Sequence, residues 1–247
     1  SGGSQMGIAD LPTAMQARGK GADLTAVMVI YANTPQGFYW LKSSGINGPK
    51  DFTGRKIGNP PGDAARLMWP AFAKNAGLDA GSVNFVNLSP QAKVAALKAK
   101  SVDIISDFYN EHDLKVREFG SDLGFAPWRS VGLNVYGNSI VVNRAFLDKN
   151  KDLVAKFVAV TQRAYDACVK SFDPCLQALM ADVSGLSADN QRDQWGRIKM
   201  LMRDDTTTKV ALGAFDAGRW RPCAHGLGNQ SGAAHRRLGL RSDSPRF

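Results

Sequence analysis

"IGNPPGDAARLMWPAFAKNAGL", residues 57–78, runs from the end of an apolar strand through a tight turn into an amphipathic helix. Asn59, Pro60, Pro61 and Gly62 form a rigid turn with little side chain. Gly62 or Asp63 then opens a helix expected over 61–76. In open α/β sheets the loops at the carboxyl ends of parallel strands face the ligand crevice, and a helix N-terminus there offers unpaired N–H groups. No Lys-Ser/Thr follows the glycine, so the turn is not a phosphate loop. Asp63 already occupies the positive end of the helix, which argues against a strongly anionic group resting directly on it. Pro61, Gly62 and Asp63 are thus candidate ligand contacts, with a plain helix cap as the alternative role for Asp63.

Working outward, "MGIAD" (6–10) reads as a strand, and "LPTAMQARGKG" (11–21) as a helix with Asp10 as its N-cap candidate and a further ligand-contact candidate. Strands are expected in "LTAVMVIYAN", "GFYWLKSSG" (37–45), "RKIGNP" (55–60), "VNFVNL" (83–88), "VDIISDFY" (102–109) and "NSIVVN" (138–143). Helices are expected over 89–100 and from Glu111. Strands alternating with helices of this length mean an α/β architecture with largely parallel sheets. Beyond Arg144 the pattern turns helical, over 148–170, 173–185 and 187–203.

Length and composition agree with a globular protein: 247 residues and 44% apolar content are enough for one large domain or two lobes. The longest apolar run, "LTAVMVIYA" (24–32), is about half the roughly 18–20 residues of a membrane span. The net charge of +9 is concentrated in the tail, where six arginines (219, 221, 236, 237, 241 and 246) face only Asp243. Elsewhere lysines alternate with acids, which reads as a solvated surface and not as a nucleic-acid interface. The segment 219–247 has no helical or strand period and reads as a disordered basic tail, or as out-of-frame translation of a GC-rich gene. The start, "SGGSQMGIAD", carries no initiator methionine and no apolar signal core.

Two further loops collect polar and aromatic groups. "DIISDFYNEHD" (103–113) delivers Asp107, Tyr109 and Glu111 where a strand gives way to a helix, and "YANTPQGFYW" (31–40) sets Asn33 and Thr34 beside Phe38. With Trp128 these form a set suited to a flat heterocycle: aromatic faces sandwich a planar ligand while carboxylates and amides bind its edge. The solute expected from this set is a neutral or cationic, aminopyrimidine-like compound. The alternative places Phe108 in the core and Glu111 and His112 on a helix surface.

Catalytic patterns are sparse. Before residue 220 there is one histidine, His112, and no G-x-S-x-G, H-E-x-x-H or C-x-x-C. No cofactor or metal is indicated. Cys168 and Cys175 flank a helix break at Asp173-Pro174, across which their sulfurs are able to meet. A disulfide there implies an oxidising compartment, and two buried free thiols are the alternative.

The order "GIADLPTAMQAR", "GFYWLKSSGINGPKDFTGRKIGNPPGDAARLMWPAFAKNAGL", "QAKVAALKAKSVDIISDFY" and "GNSIVVNRAFLDKN" resembles the substrate-binding proteins of bacterial ABC importers for nitrate, sulfonates, taurine and thiamine pyrimidine precursors. That superfamily also includes thiamine pyrimidine synthase. The resemblance spans roughly 6–218 and implies a two-lobed periplasmic-binding-protein (type II) fold that closes on a solute, with the first strand-helix-strand unit missing. Lobe 1 would comprise 1–35 and 135–218, and lobe 2 would comprise 36–134. It also implies a periplasmic monomer that takes a small-molecule solute, binds no nucleic acid and docks on an ABC permease in the membrane. Two other functions remain beside it: a thiamine pyrimidine synthase-like enzyme, for which the chain offers His112 but no cysteine cluster, and the effector domain of a transcription regulator, for which no helix-turn-helix pattern speaks.

Overall fold

The computed structural model describes residues 3–219; of the tail expected over 219–247, residues 220–247 lie outside the described residues. Two compact units divide the chain. One holds the described residues up to Ala32, Val135–Ser171 and those from Met202; the other holds Asn33–Asn134 and Phe172–Leu201.

The first unit contains the strands β1 (Met6–Asp10), β2 (Leu24–Val29) and β8 (Asn138–Asn143), in the order β1-β8-β2. Both outer strands run antiparallel to β8. Helix α1 (Leu11–Gly19) starts directly at the end of β1, with Pro12 in its first turn, where the missing N–H costs nothing. Leu11, Val29, Ala32 and Tyr136 form the apolar centre of this unit, which Met15 and Phe215 extend. Arg219, placed in the tail on sequence grounds, belongs to this fold. Its guanidinium pairs with Asp204 and lies 4.3 Å over the Tyr136 ring.

The second unit is built on a five-stranded sheet of β3 (Gln36–Leu41), β4 (Lys56–Asn59), β5 (Asn84–Asn87), β6 (Ile104–Phe108) and β7 (Leu123–Pro127), in the order β5-β4-β6-β3-β7. Strand β4 is parallel to β5 and β6, whereas β3 is antiparallel to β6 and β7. The expectation of largely parallel sheets is therefore corrected. Only the strands joined by the helical crossovers α2 (Ala64–Ala76) and α3 (Lys93–Lys98) are parallel, while β3 and β8 run against their neighbours. Strand β7 has no strong sequence signal, because "LGFAP" is short and carries Gly124 and Pro127.

Alternation along β3 divides its aromatic residues between the two faces of this sheet. Phe38 packs with Phe52, Trp69, Phe72 and Trp128 on the α2 face. Tyr39 packs with Leu97, Val102 and Ile105 on the α3 face. The helices α4 (His112–Phe119), α5 (Arg144–Lys149), α6 (Lys151–Lys170), α7 (Asp173–Asp182), α8 (Ala188–Leu201) and α9 (Asp205–Lys209) complete the described chain. Asn150 divides the helix expected over 148–170 into α5 and α6.

Residues 172–201, assigned to lobe 1 from the sequence, pack in the second unit. Arg197 of α8 binds Asp113 of α4, and Arg117 of α4 pairs with Asp193 of α8.

Candidate functional site

The carboxyl ends of β4 and β6 bring the polar groups of the second unit together. The backbone N–H of Asp63 donates to the Pro60 carbonyl at 3.3 Å, closing a turn whose third residue, Gly62, has φ +76°, a conformation that favours glycine. Asp63 caps α2 from an extended backbone, with Oδ1 accepting the Ala65 N–H at 2.7 Å. Burial raises the Asp63 pKa, and the charge on Asp107 adds to this. The Ala65 N–H, Lys93 and Arg66 oppose it without reversing the direction.

Arg66, in the first turn of α2, fixes the strand ends below the turn. Its Nε and Nη2 donate to Asn59 Oδ1 at 3.1 and 2.9 Å, and its Nη1 donates to Asn87 Oδ1 at 2.9 Å. Asn59 and Asn87 are register partners on β4 and β5, so one guanidinium spans two strand ends while lying 4.8 Å over the Phe85 ring. Asn59 is fully buried, and its Nδ2 has no hydrogen-bond partner among the described residues; the same holds for Ser106 Oγ and Asn110 Oδ1.

Asp107, at the end of β6, lies between two buried lysines. Lys93 Nζ is 3.0 Å from Oδ1 and also donates to the Ser106 carbonyl, while Lys115 Nζ is 2.8 Å from Oδ2. Burial alone would raise the Asp107 pKa, but Lys115 and Lys93 together hold it below the usual carboxylate value. Lys115 also lies 3.7 Å from Glu111 and 5.0 Å over the Tyr39 ring.

The neighbouring aromatic group is closed by its own chain. Tyr109 stacks on Phe125 at 5.4 Å, with the Arg197 guanidinium 4.7 Å from its ring centroid and Arg197 Nη1 donating to its hydroxyl at 2.6 Å. His112 lies among Tyr39, Tyr109 and Phe125. Burial lowers its pKa, and Arg197 lowers it further.

Of the residues singled out from the sequence, Pro61, Gly62, Asp63, Asp107, Tyr109 and Glu111 lie at these strand ends, with the Pro61–Gly62 tip exposed. Phe38 and Trp128 are fully buried within the α2-face aromatic cluster and present no ring to a solute, which corrects their assignment as a sandwich. A lysine engages each oxygen of Asp107. Tyr109 is corrected as a stacking platform, because Phe125 and Arg197 cover it. Asn33 and Thr34 tie loops together. Asn33 Oδ1 accepts from Asn134 Nδ2 at 2.8 Å, and the Thr34 N–H donates to Asn134 Oδ1 at 3.0 Å. Asp10 lies in the first unit at the N-cap of α1 and makes no side-chain cap hydrogen bond there.

Lys93, Lys115, Arg66 and Arg197 were not expected from the sequence, which counted the lysines as solvated surface. The only local signal is the Glu111–Lys115 spacing of four on a helix. Among the described residues no group of three or more His, Cys, Asp or Glu is placed to hold a metal, and no helix is long and apolar enough to cross a membrane.

A family model described as "NMT1/THI5 like" matches residues 1–173. No curated protein sequence matches the chain. Among solved structures, the periplasmic aliphatic sulphonate binding protein SsuA from Escherichia coli superposes with a TM-score of 0.72 at 17% identity, covering 97% of this chain and 77% of that one. The alkanesulfonate-binding protein SsuA from Xanthomonas axonopodis pv. citri, bound to MOPS, gives 0.71 at 18% identity, covering 91% and 73%. A Candida albicans protein described as having the generic periplasmic binding protein structural fold gives 0.61 at 12% identity, covering 97% and 75%. The chain thus has an α/β periplasmic-binding-protein fold.

Proposed function

The chain belongs to the NMT1/THI5-like family, and from that premise we propose that it is the solute-binding component of an ABC importer, acting outside the cytoplasmic membrane. It captures a small polar solute and hands it to a membrane permease, and solute capture needs a closing equilibrium but no bond chemistry. The observation that carries this reading is the strand-end cluster: the rigid Pro60–Asp63 turn, the half-buried Asp63 carboxylate and the partly exposed Glu111, on a fold that the sulfonate-binding proteins share. Pro61, Gly62, Asp63 and Glu111 are the proposed solute contacts of the second unit.

The enzyme alternative is less well supported. It calls for a histidine free to work, whereas His112 is packed among three aromatic rings with Nδ1 buried and unpartnered among the described residues.

A thermal-shift screen against aminopyrimidines, amines, amidines, amino acids, alkanesulfonates and nitrate tests the proposal. A solute present at 100 times its Kd stabilises the protein by about 2.7 kcal/mol, which gives a readable rise in Tm. A melting temperature unmoved by every class would contradict the proposal.

A further inference from the structure

Helix α6 packs on the first unit along one side and carries a regular apolar line on its exposed side. Val154 is buried, and Gln162 Nε2 donates to the Leu212 carbonyl at 2.7 Å, which fixes the inner side. The exposed line consists of Leu153, Phe157 and Val160, which are 57%, 45% and 53% exposed, followed by the exposed Ala164 and Ala167. The steps between these residues run four, three, four, three, the spacing with which one helix meets another side by side. Bulky side chains in the first half and alanines in the second leave room for a facing helix to approach closely.

Charge beside this line has one sign. Lys156, Arg163 and Lys170 recur at every seventh residue along its edge, all three exposed and none with a side-chain ion pair or hydrogen bond among the described residues. Charges that flank an apolar seam select the partner. A second copy of the chain, paired antiparallel, would set an identical cationic row against this one. The segment 220–247 carries the same sign, with Arg221, Arg236, Arg237, Arg241 and Arg246 against Asp243 alone. A helix that lies in a lipid interface presents a broad apolar arc, whereas this line is a single narrow seam.

We infer that the exposed side of α6 is a docking seam for an acidic amphipathic helix of a partner protein. Apolar side chains of that helix pack among Leu153, Phe157 and Val160 and over the two alanines, and its carboxylates pair with Lys156, Arg163 and Lys170. The seam belongs to the first unit and uses no residue of the strand-end cluster, so it stands or falls separately from the solute-binding reading.

The test titrates the full chain into two labelled synthetic helices of the length of α6, 20 residues, read by fluorescence anisotropy. Both peptides carry leucine along a 4-3 seam; one is flanked by glutamate and the other by lysine. The protein is compared with Phe157→Ser and with the triple variant Lys156→Glu, Arg163→Glu, Lys170→Glu. These side chains are exposed, so an unchanged Tm is expected and checks that the fold is kept. The expected result is binding of the glutamate peptide at least tenfold tighter than the lysine peptide, weakened at least tenfold by Phe157→Ser, with the preference inverted in the triple variant. Failure to bind either peptide, or equal binding of both, overturns the inference. A preference for the glutamate peptide that survives the triple variant also overturns it, by placing the attraction in other cations such as the arginines beyond 220. Two controls complete the test: sedimentation of the chain with phosphatidylcholine–phosphatidylglycerol vesicles, and self-association of the chain alone. Either one, abolished by Phe157→Ser, would assign the seam to lipid or to a second copy and overturn the inference.

Discussion

Lys115 Nζ lies 2.8 Å from Asp107 Oδ2 with its side chain 2% exposed, and that carboxylate holds a second buried lysine, Lys93, on its other oxygen. The arrangement fixes the end of β6 to α3 and α4 from one residue. Removing one member of a buried ion pair leaves uncompensated charge, so Lys115→Met is expected to cost about 3 kcal/mol, read as a lower urea midpoint at unchanged m-value. A change under about 0.5 kcal/mol, the range of ordinary surface substitutions, would contradict the buried pairing.

Acid should weaken the second unit through Asp107 and Asp113. Burial works against the lowered pKa of Asp107, but Lys115 and Lys93 outweigh it, while Asp113 is lowered chiefly by its hydrogen bond from Arg197. A carboxylate lowered on folding contributes its stability above the unfolded value, near 3.9, and loses it as pH falls through the folded value. Asp63, raised by burial, has the opposite sign and offsets part of the loss. The Tm is therefore expected to fall below about pH 4, and the fall should be smaller in the double variant Asp107→Asn, Asp113→Asn.

The Pro60–Asp63 turn depends on Gly62, at φ +76° with open space where a Cβ would sit. Gly62→Ala is then a backbone effect alone, expected at about 1–2 kcal/mol. A neutral substitution would show that the turn relaxes to another conformation.

Arg197 joins α8 to the second unit through Asp113, with Nε 2.7 Å from Oδ2, and through the Tyr109 hydroxyl. Arg197→Ala should cost about 2 kcal/mol, as expected for charge-assisted hydrogen bonds, and should speed hydrogen exchange across 188–201 more than across β3 to β7.

Much of the fold was legible in the sequence. The strand-turn-helix of 56–76 follows from Gly, Pro and apolar spacing, and β1, β6 and β8 fall within a few residues of their expected positions. Strand direction was not legible, because hydrophobic alternation carries no sign: β3 and β8 look like strands whichever way they pair. Turn chemistry marked Pro61, Gly62 and Asp63, but whether an aromatic faces solvent or core depends on tertiary packing, and Phe38 and Trp128 went to the core. Lysines are rarely buried, so Lys93 and Lys115 were counted as surface until their common partner, Asp107, was seen between them.

The central claim is binding without chemistry. Its most direct measurement incubates the protein with a solute that it binds by calorimetry, followed by mass analysis of the solute recovered after denaturation. The account predicts one site per chain and a solute of unchanged mass and amount after prolonged incubation. Steady conversion of the solute to a product, at a rate proportional to protein concentration, would contradict it and favour the enzyme alternative.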